Sequence, residues 1–296
     1  MDLSVIVVNY NTKELTKKCL DSIFGNTKGV HFEVIVVDNN SEDGSAQMLQ
    51  KYPEKIKLIK NTQNLGFAKA NNQAIKIAKG KYVMLLNSDA YLIENSLKAL
   101  VEKANLEKNL GMLGPQVLNE DKTIQQSAGH FPNLLQVIFW MSFLDDLPGG
   151  TLLNPYHIDH DSFYKKEHEV GWLTGAALLV PAGVIKKVGL LDREIFMYGE
   201  DVDWSYRIKK AKYKVLFSPI TKIVHIGSGS SGKVSKNAIV GEYKGIVYLY
   251  KKHKSFLSLQ LLRCFLKIGA LARIVIFALL GRKETALFYA KAFKVA

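Results

Sequence analysis

Four apolar runs separated by stretches of helical spacing constrain the fold of this chain more than anything else in it. Leu3-Ser4-Val5-Ile6-Val7-Val8, Phe32-Glu33-Val34-Ile35-Val36-Val37, Ile56-Lys57-Leu58-Ile59 and Tyr82-Val83-Met84-Leu85-Leu86 read as strands. Near-continuous Val, Ile and Leu means that a strand is covered on both faces. Between the first two, Leu15, Cys19, Leu20, Ile23 and Phe24 recur at helical spacing up to Gly25; further helices are expected near Ser45, from Ala68 to Ala78 and over 95–108. Strands alternating with helices predict βαβ units and a parallel sheet. The fold class is therefore α/β, with any ligand at the carboxyl ends of the strands.

Regularity loosens after Gly111. Residues 119–170 are polar and aromatic, with Pro132, Pro148-Gly149-Gly150 and Pro155, and read as a long irregular insert of the kind that carries function. Order returns at Gly171-Trp172-Leu173-Thr174-Gly175. An acidic run then leads into a helix from Trp204 to Lys210, and strands at 214–217 and 221–225 flank Pro219.

With 296 residues, 48% hydrophobic and 23% charged, the chain can bury a large core, as one α/β domain or one and a half. Cys19 and Cys264 are far apart, with no CxxC. A disulfide framework or structural zinc is not expected, and a reducing compartment is. The N-terminus runs straight into a strand, so no secretory signal is expected. The net charge of +13 is uneven: residues 242–296 hold 11 Lys/Arg against 2 Asp/Glu. That tail is also apolar, but Arg263, Lys267 and Arg273 interrupt it before it could span a bilayer. A basic amphipathic helix suits an anionic headgroup layer; the alternative is a helix packed on the protein's own core with its lysines in water. Nucleic acid is not an expected partner, because the tail carries no recognisable binding motif.

Acidic stations mark the strand ends. Asp38 precedes Asn39-Asn40-Ser41, where turn and N-cap chemistry explains Asp43 and Ser45 better than Asp38. A carboxylate at the sheet mouth can accept from a base N–H or a ribose hydroxyl. Asn64-Leu65-Gly66-Phe67 opens a helix that also carries Asn71, and Gly66 permits close backbone approach. Asn87-Ser88-Asp89 either caps a strand or holds a hard divalent cation on diphosphate oxygens. In Phe196-Met197-Tyr198-Gly199-Glu200-Asp201-Val202-Asp203-Trp204, burial of the Glu200-Asp201 pair against aromatics would raise a carboxylate toward the range of a base. An acidic first helical turn is the competing explanation, and it accounts for Asp203 more readily. His225 ends a strand and is a candidate third metal ligand. Gly227-x-x-x-x-Gly232-Lys233 has phosphate-loop spacing, but Val234 stands where that motif needs Ser or Thr; a loop bringing Lys233 over a diphosphate is the better use of it.

The ordered set resembles family 2 glycosyltransferases of the GT-A fold over nearly all of residues 1–240. The matching stretches are Ser4–Asn11, Val37–Ser41, Asn64–Ala68 with Asn71, Leu86–Asp89, Thr174–Ala176 and Tyr198–Asp203, and the rhamnosyltransferase-like subgroup is the nearest in character. This resemblance implies that Asn9, Tyr10, Asp38 and Asn71 hold the nucleoside, with Gly66 and Phe67 shaping its pocket and Asn87, Ser88 and Lys233 near the donor. Asp89 would bind Mg²⁺ or Mn²⁺ with His225. Trp172, Thr174, Gly175 and Trp204 would face sugar and acceptor, and Asp201 would be the base with Glu200 beside it. The family's Asp-x-Asp reads Asn87-Ser88-Asp89 here, and its neutral first member weakens the case for strict metal dependence.

The expectation is an inverting transferase that moves a sugar, rhamnose foremost, from a dTDP- or UDP-sugar to a lipid-linked glycan. Residues 1–241 would form the GT-A domain, with a nucleotide half (1–110) and an acceptor half (111–241). Residues 242–296 would be a membrane-surface helical region at the cytoplasmic face of the cell membrane. A non-catalytic sugar-nucleotide-binding partner subunit is the rival. Nucleotidyl transfer is disfavoured, because Asn9-Tyr10-Asn11-Thr12 is no basic Gly-rich loop.

Overall fold

The structure, a computed structural model, describes residues 1–52, 54–144, 154–227 and 236–296. The first half runs β1 (Leu3–Asn9), α1 (Lys13–Asn26), β2 (Phe32–Asp38), α2 (Ser45–Leu49), β3 (Ile56–Lys60), α3 (Phe67–Ile77), β4 (Tyr82–Asn87), β5 (Ala90–Leu92) and α4 (Ser96–Leu106). The second runs β6 (Leu110–Leu118), β7 (Ala128–Gly129), α5 (Leu134–Met141), β8 (His168–Glu169), β9 (Trp172–Leu173), β10 (Ala177–Pro181), α6 (Ala182–Val188), α7 (Glu200–Lys210) and β11 (Lys214–His225). Helices α8 (Lys236–His253), α9 (Phe256–Leu279) and α10 (Lys283–Val295) follow.

The main sheet has the order β3-β2-β1-β4-β10-β6-β11-β5, with β8 added on β11. Strands β1 to β4 pair in parallel, as βαβ alternation requires. Strand β10 is antiparallel to both β4 and β6, so the sheet as a whole is mixed. Alternate residues of each strand feed opposite faces. Val5, Val7, Val34 and Val36 join Cys19, Leu20 and Ile23 of α1 in one core layer. Ile6, Ile35 and Val37 join Ala68 and Ala74 of α3 and Trp204 and Ile208 of α7 in the other.

Register decides what stands at the sheet mouth. Asn9 lies beside Asp38, and Val8 beside Asn87, at the carboxyl ends of β1, β2 and β4. His225, at the end of β11, is level with Ala90, the neighbour of Asp89.

Three boundaries differ from the sequence expectation. The segments at 214–217 and 221–225 are one strand with a register shift between Phe217 and Lys222, where Pro219 sits without disrupting a ladder. Helix α7 begins at Glu200, four residues before the expected Trp204, because Gly199 (φ +99°) turns the chain into it. The insert is also less irregular than its composition suggests: it contains β7, α5 and β8.

The C-terminal helices complete a third core rather than trailing behind the sheet. Tyr243, Ile246, Tyr250, Leu262, Leu266 and Ala270 pack with Val137, Met141, Tyr156 and Trp172. The expected division at 241/242 falls inside α8. Arg273, expected as an interruption of the apolar tail, is buried and donates to the carbonyls of Trp140 (2.6 Å) and Met141 (2.9 Å), where it caps α5. Among the described residues no helix is long and apolar enough to cross a membrane. Helix α9 nonetheless exposes Leu257, Leu261, Ile268, Leu271 and Val275 along one stripe.

Candidate active site

The loops after β1 and β2 are tied together by side chains. Asn9 Nδ2 donates to Asp38 Oδ1 (2.7 Å) and to Ser41 Oγ (2.9 Å). Its Oδ1 accepts from the hydroxyls of Thr12 and Thr16, each at 2.7 Å. The Ser41 amide donates to Asp38 Oδ2 (3.3 Å), so the carboxylate is held at both oxygens and only 3% of the residue is exposed. Tyr10 stands exposed beside this clamp. Ser88 Oγ is 2.9 Å from Thr12 Oγ1 and links the β4 end to the same loop.

Asn39 orders the next loop. It donates to Asn64 Oδ1 (2.9 Å) and accepts from the Leu65 amide (3.1 Å). Gly66 has φ +81°, and an added Cβ would lie 2.6 Å from the Phe196 carbonyl oxygen. Only glycine lets α3 start this close to the acidic loop, and the Phe67 amide donates to that carbonyl (2.9 Å). The Asn64–Gly66 loop and the Phe196–Glu200 segment therefore sit against one another.

At the end of β4, Asp89 Oδ1 lies 3.1 Å from His225 Nε2, and Asn87 Nδ2 lies 3.2 Å from the same nitrogen. The other ring nitrogen is set by Gln125. The Gln125 amide nitrogen donates to Asn119 Oδ1 and to the His225 carbonyl, so its Oε1, 2.7 Å from His225 Nδ1, accepts the ring N–H. Gln125 thereby fixes the ring of His225 with Nε2 facing Asp89. Burial acts to raise the Asp89 carboxyl, but His225 and the Gly227 amide outweigh it and hold the group below its ordinary value. Among the described residues no cluster of three or more His, Cys, Asp or Glu is poised for a metal. One anionic oxygen and one oriented imidazole fit a cation that takes its remaining ligands from diphosphate and water.

Asp201 lies in the first turn of α7. Its Oδ2 accepts from the Gly175 amide (2.9 Å) and its Oδ1 from the Val202 amide (2.9 Å). Burial raises its carboxyl above the ordinary value, with those amides pulling the other way. Glu200 is only 5% exposed, and its Oε2 has no hydrogen-bond partner among the described residues. Burial, and then the charge of Asp201, push it up to about 8. Burial raises both carboxyls, Glu200 further, and the two amides on Asp201 favour its charged form over that of Glu200. Asp203 has a different task. It is fully buried and pairs with Arg207 (2.8 Å), Lys252 (2.9 Å) and His253 (2.7 Å), locking α7 to α8.

Asp201, Thr174 and Trp172 line a cavity of about 220 Å³ closed on its far side by α8. A larger hollow of about 530 Å³, beside Lys69 and Arg193, is lined by none of the expected site residues.

Three expected site residues are wholly enclosed. Asn9 positions Asp38 and does not itself face the mouth. Asn71 is spent on the Phe67 carbonyl one turn back (3.0 Å). Trp204 is fully buried in the sheet core and donates to the Gly189 carbonyl (3.0 Å), so it faces neither sugar nor acceptor. Lys233 lies outside the described residues.

The model of the family described as "Glycosyl transferase family 2" matches residues 4–167, more than half of the chain. The chain belongs to glycosyl transferase family 2. Among its relatives is the N-acetylglucosaminyl-diphospho-decaprenol L-rhamnosyltransferase of Mycobacterium tuberculosis, 27% identical over 267 residues that span 86% of each chain. The fold is GT-A. Mannosyltransferase PcManGT from Pyrobaculum calidifontis, solved with GDP-Man and Mn²⁺, aligns over 98% of this chain and 85% of its own with a TM-score of 0.61 at 15% identity. S. aureus TarS with UDP-GlcNAc aligns over 99% of this chain and 79% of its own with a TM-score of 0.56 at 20% identity.

Within the family 2 site, several residues escaped sequence reasoning. Ser41 and Thr12 have no motif beyond ordinary turn chemistry. Gln125 lies in the polar insert, 100 residues from the histidine it orients, with no local signal. Tyr156, His157 and Glu242 line the cavity with Asp201. A cue did exist for Glu242: it is one of only two acids in the basic segment 242–296.

Proposed function

We propose that this chain is an inverting glycosyltransferase that transfers a sugar, rhamnose foremost, from a nucleotide-diphosphate donor to a lipid-linked glycan precursor. The observation that carries the proposal is the buried acidic pair in the first turn of α7, an amide-held Asp201 beside Glu200, with Asp201 facing a cavity lined by Trp172, Thr174 and α8. In one displacement the acceptor hydroxyl oxygen bonds to the anomeric carbon while the bond from that carbon to the diphosphate oxygen breaks. Asp201 takes the hydroxyl proton. The Gly175 and Val202 amides each occupy one oxygen of Asp201, fixing its plane and leaving a lone pair free for that proton. Tyr10 and the Asp38 loop would hold the nucleoside. Asp89 and His225 would hold Mg²⁺ or Mn²⁺, which when bound offsets charge on the departing diphosphate.

The relative's rhamnosyl donor and diphospho-decaprenol acceptor support the choice of sugar and of lipid-linked acceptor; UDP-hexoses are the next donors to test. The exposed stripe of α9 and the basic tail support docking on the anionic cytoplasmic face of the cell membrane. Cutting at 241 would unroof the third core, so the docking test is flotation of the full chain with anionic liposomes against Leu271→Glu with Val275→Glu. Equal flotation of both proteins would refute docking.

The donor test is a thermal-shift panel of nucleotide-diphosphate sugars with and without Mn²⁺. A ligand that binds only the folded state stabilises it by about 2.7 kcal/mol at a hundred times its Kd. A manganese-dependent rise with one donor is expected. Donor binding with no transfer to any glycan acceptor would favour the non-catalytic subunit, and no binding at all would overturn the proposal.

A further inference from the structure

We infer that the cavity between Trp172 and helix α8 is a subsite for an uncharged sugar ring of the acceptor, with Glu242 as the residue that selects it; this rests on the glycosyltransferase reading above. The cavity is walled by the aromatic side chains of Tyr156, Trp172 and Tyr198 and by apolar side chains of α8. Aromatic faces match the C–H face of a pyranose. Among the described residues its ionisable lining groups are Asp201, Glu242, His157 and the two tyrosines, with no lysine or arginine.

Glu242 is held in place. His157 Nε2 lies 2.6 Å from Glu242 Oε1, and the imidazole is packed between the rings of Trp140 (5.6 Å), Tyr156 (4.2 Å) and Trp172 (5.6 Å). Held this way, the carboxylate loses little freedom when it accepts a hydroxyl. Both carboxylates also act on the same buried phenol. Tyr156 is raised well above its ordinary range by burial first, then by the charges of Glu242 and Asp201.

Two carboxylates on an aromatic wall accept hydroxyl protons and repel anions. A neutral hexose or deoxyhexose fits, with one hydroxyl toward Asp201 and another toward Glu242. A uronate or phosphorylated sugar in the same place would add negative charge beside Asp201 and Glu242, with no lysine or arginine among the described lining residues to offset it. The diphosphate of a lipid-linked acceptor must then lie outside the cavity. Helix α8 is thus part of the acceptor site.

The test uses the full chain and matched pairs of glycosides on one aglycone, a neutral hexoside and its uronide, with the donor found in the panel above. The neutral member is expected to bind and react, and the uronide at least about tenfold less well. Glu242→Gln is expected to raise the acceptor KM about tenfold or more and to narrow the gap between neutral and uronide. The donor-induced rise in melting temperature should stay as in the wild type. Ala238→Phe, which fills the cavity from the helix turn before Glu242 and retains both Glu242 and His157, should also raise the acceptor KM.

Equal use of hexoside and uronide overturns the inference. So does an unchanged acceptor KM in both variants, or failure of every neutral glycoside to bind the donor-loaded protein. Absence of any donor-induced stabilisation in the wild type would instead overturn the glycosyltransferase reading itself.

Discussion

Replacing Glu200 by Gln separates the two acids of the α7 turn. Glu200 is raised from 4.5 to about 8, so between those values the fold keeps a proton that the unfolded chain has released. The unfolded state binds fewer protons there, and stability falls as pH rises. It is intact below about 4.5 and is lost progressively up to about pH 8. At about 1.4 kcal/mol per unit, the span of three and a half units sets an upper bound of about 5 kcal/mol. Relaxation of the buried group reduces this to a few kcal/mol.

Gln has the same shape and no proton to lose. In Glu200→Gln the fall in stability between pH 5 and pH 8 should therefore shrink by a few kcal/mol. Absolute stability is the wrong readout, because Oε2 has no partner and an amide nitrogen buried there could cost about 1–3 kcal/mol at every pH. The slope isolates the titration. Urea unfolding at pH 5, 6.5 and 8 measures it, and transfer rates at pH 7 complete the argument. Gln preserves the neutral charge of this position, so kcat should stay within about tenfold of wild type. Parallel slopes in the two proteins, or loss of transfer in Glu200→Gln with transfer retained in Asp201→Asn, would refute the assignment of proton and charge.

The remaining predictions use separate readouts. Asp201→Asn should lower kcat by about a hundredfold or more while leaving the donor-induced melting shift intact, because it removes the proton acceptor and not the donor loops. Gln125→Leu frees the His225 ring, and the Mn²⁺ concentration needed for half of the metal-dependent melting shift should rise about 10–100-fold. Gly245→Ala places a Cβ 2.7 Å from the Tyr198 carbonyl oxygen, so α8 or the catalytic loop must move. Overpacking of this kind costs about 1–3 kcal/mol, and both melting temperature and kcat should fall.

The parallel half of the fold was legible because a doubly covered strand must be apolar at every position, and Val5–Val8, Val34–Val37 and Val83–Leu86 meet that demand. The stations at Asp38, Asp89 and Asp201 were legible because polar residues ending such strands, or following glycine, have few structural uses. Trp204 misled for a related reason. An aromatic residue beside two acids looks like a sugar platform, yet it lies one helical turn inside α7, and the 3.6-residue period carries it into the core. Antiparallel β10 was hidden because apolar composition does not encode strand direction. Gln125 and His157 were hidden because their partners, His225 and Glu242, lie 100 and 85 residues away.

Helix α8 shows how a segment can be misjudged by its charge. The basic excess of 242–296 marks a surface, and on that ground the segment reads as an appendage. Its inner face says otherwise. Gly241 and Gly245 are four residues apart on one side of the helix; Gly241 makes room for the Tyr198 side chain, and Gly245 for the backbone of Tyr198 and Gly199, where a Cβ on Gly199 would lie 2.9 Å from Gly245 Cα. Tyr198 itself sits at φ +69°, a conformation unfavourable for a bulky residue unless its surroundings hold it. Those surroundings are α8: glycines above the loop, Lys252 and His253 on buried Asp203 behind it, and Glu242 lining the same cavity as Asp201. Tyr198 and Gly199, which turn the chain into α7, thus stand between α8 and Asp201. Helix α9, joined to α8 by Lys254 and Ser255 alone, therefore carries its exposed apolar stripe on an element one short linker away from the helix that holds this turn.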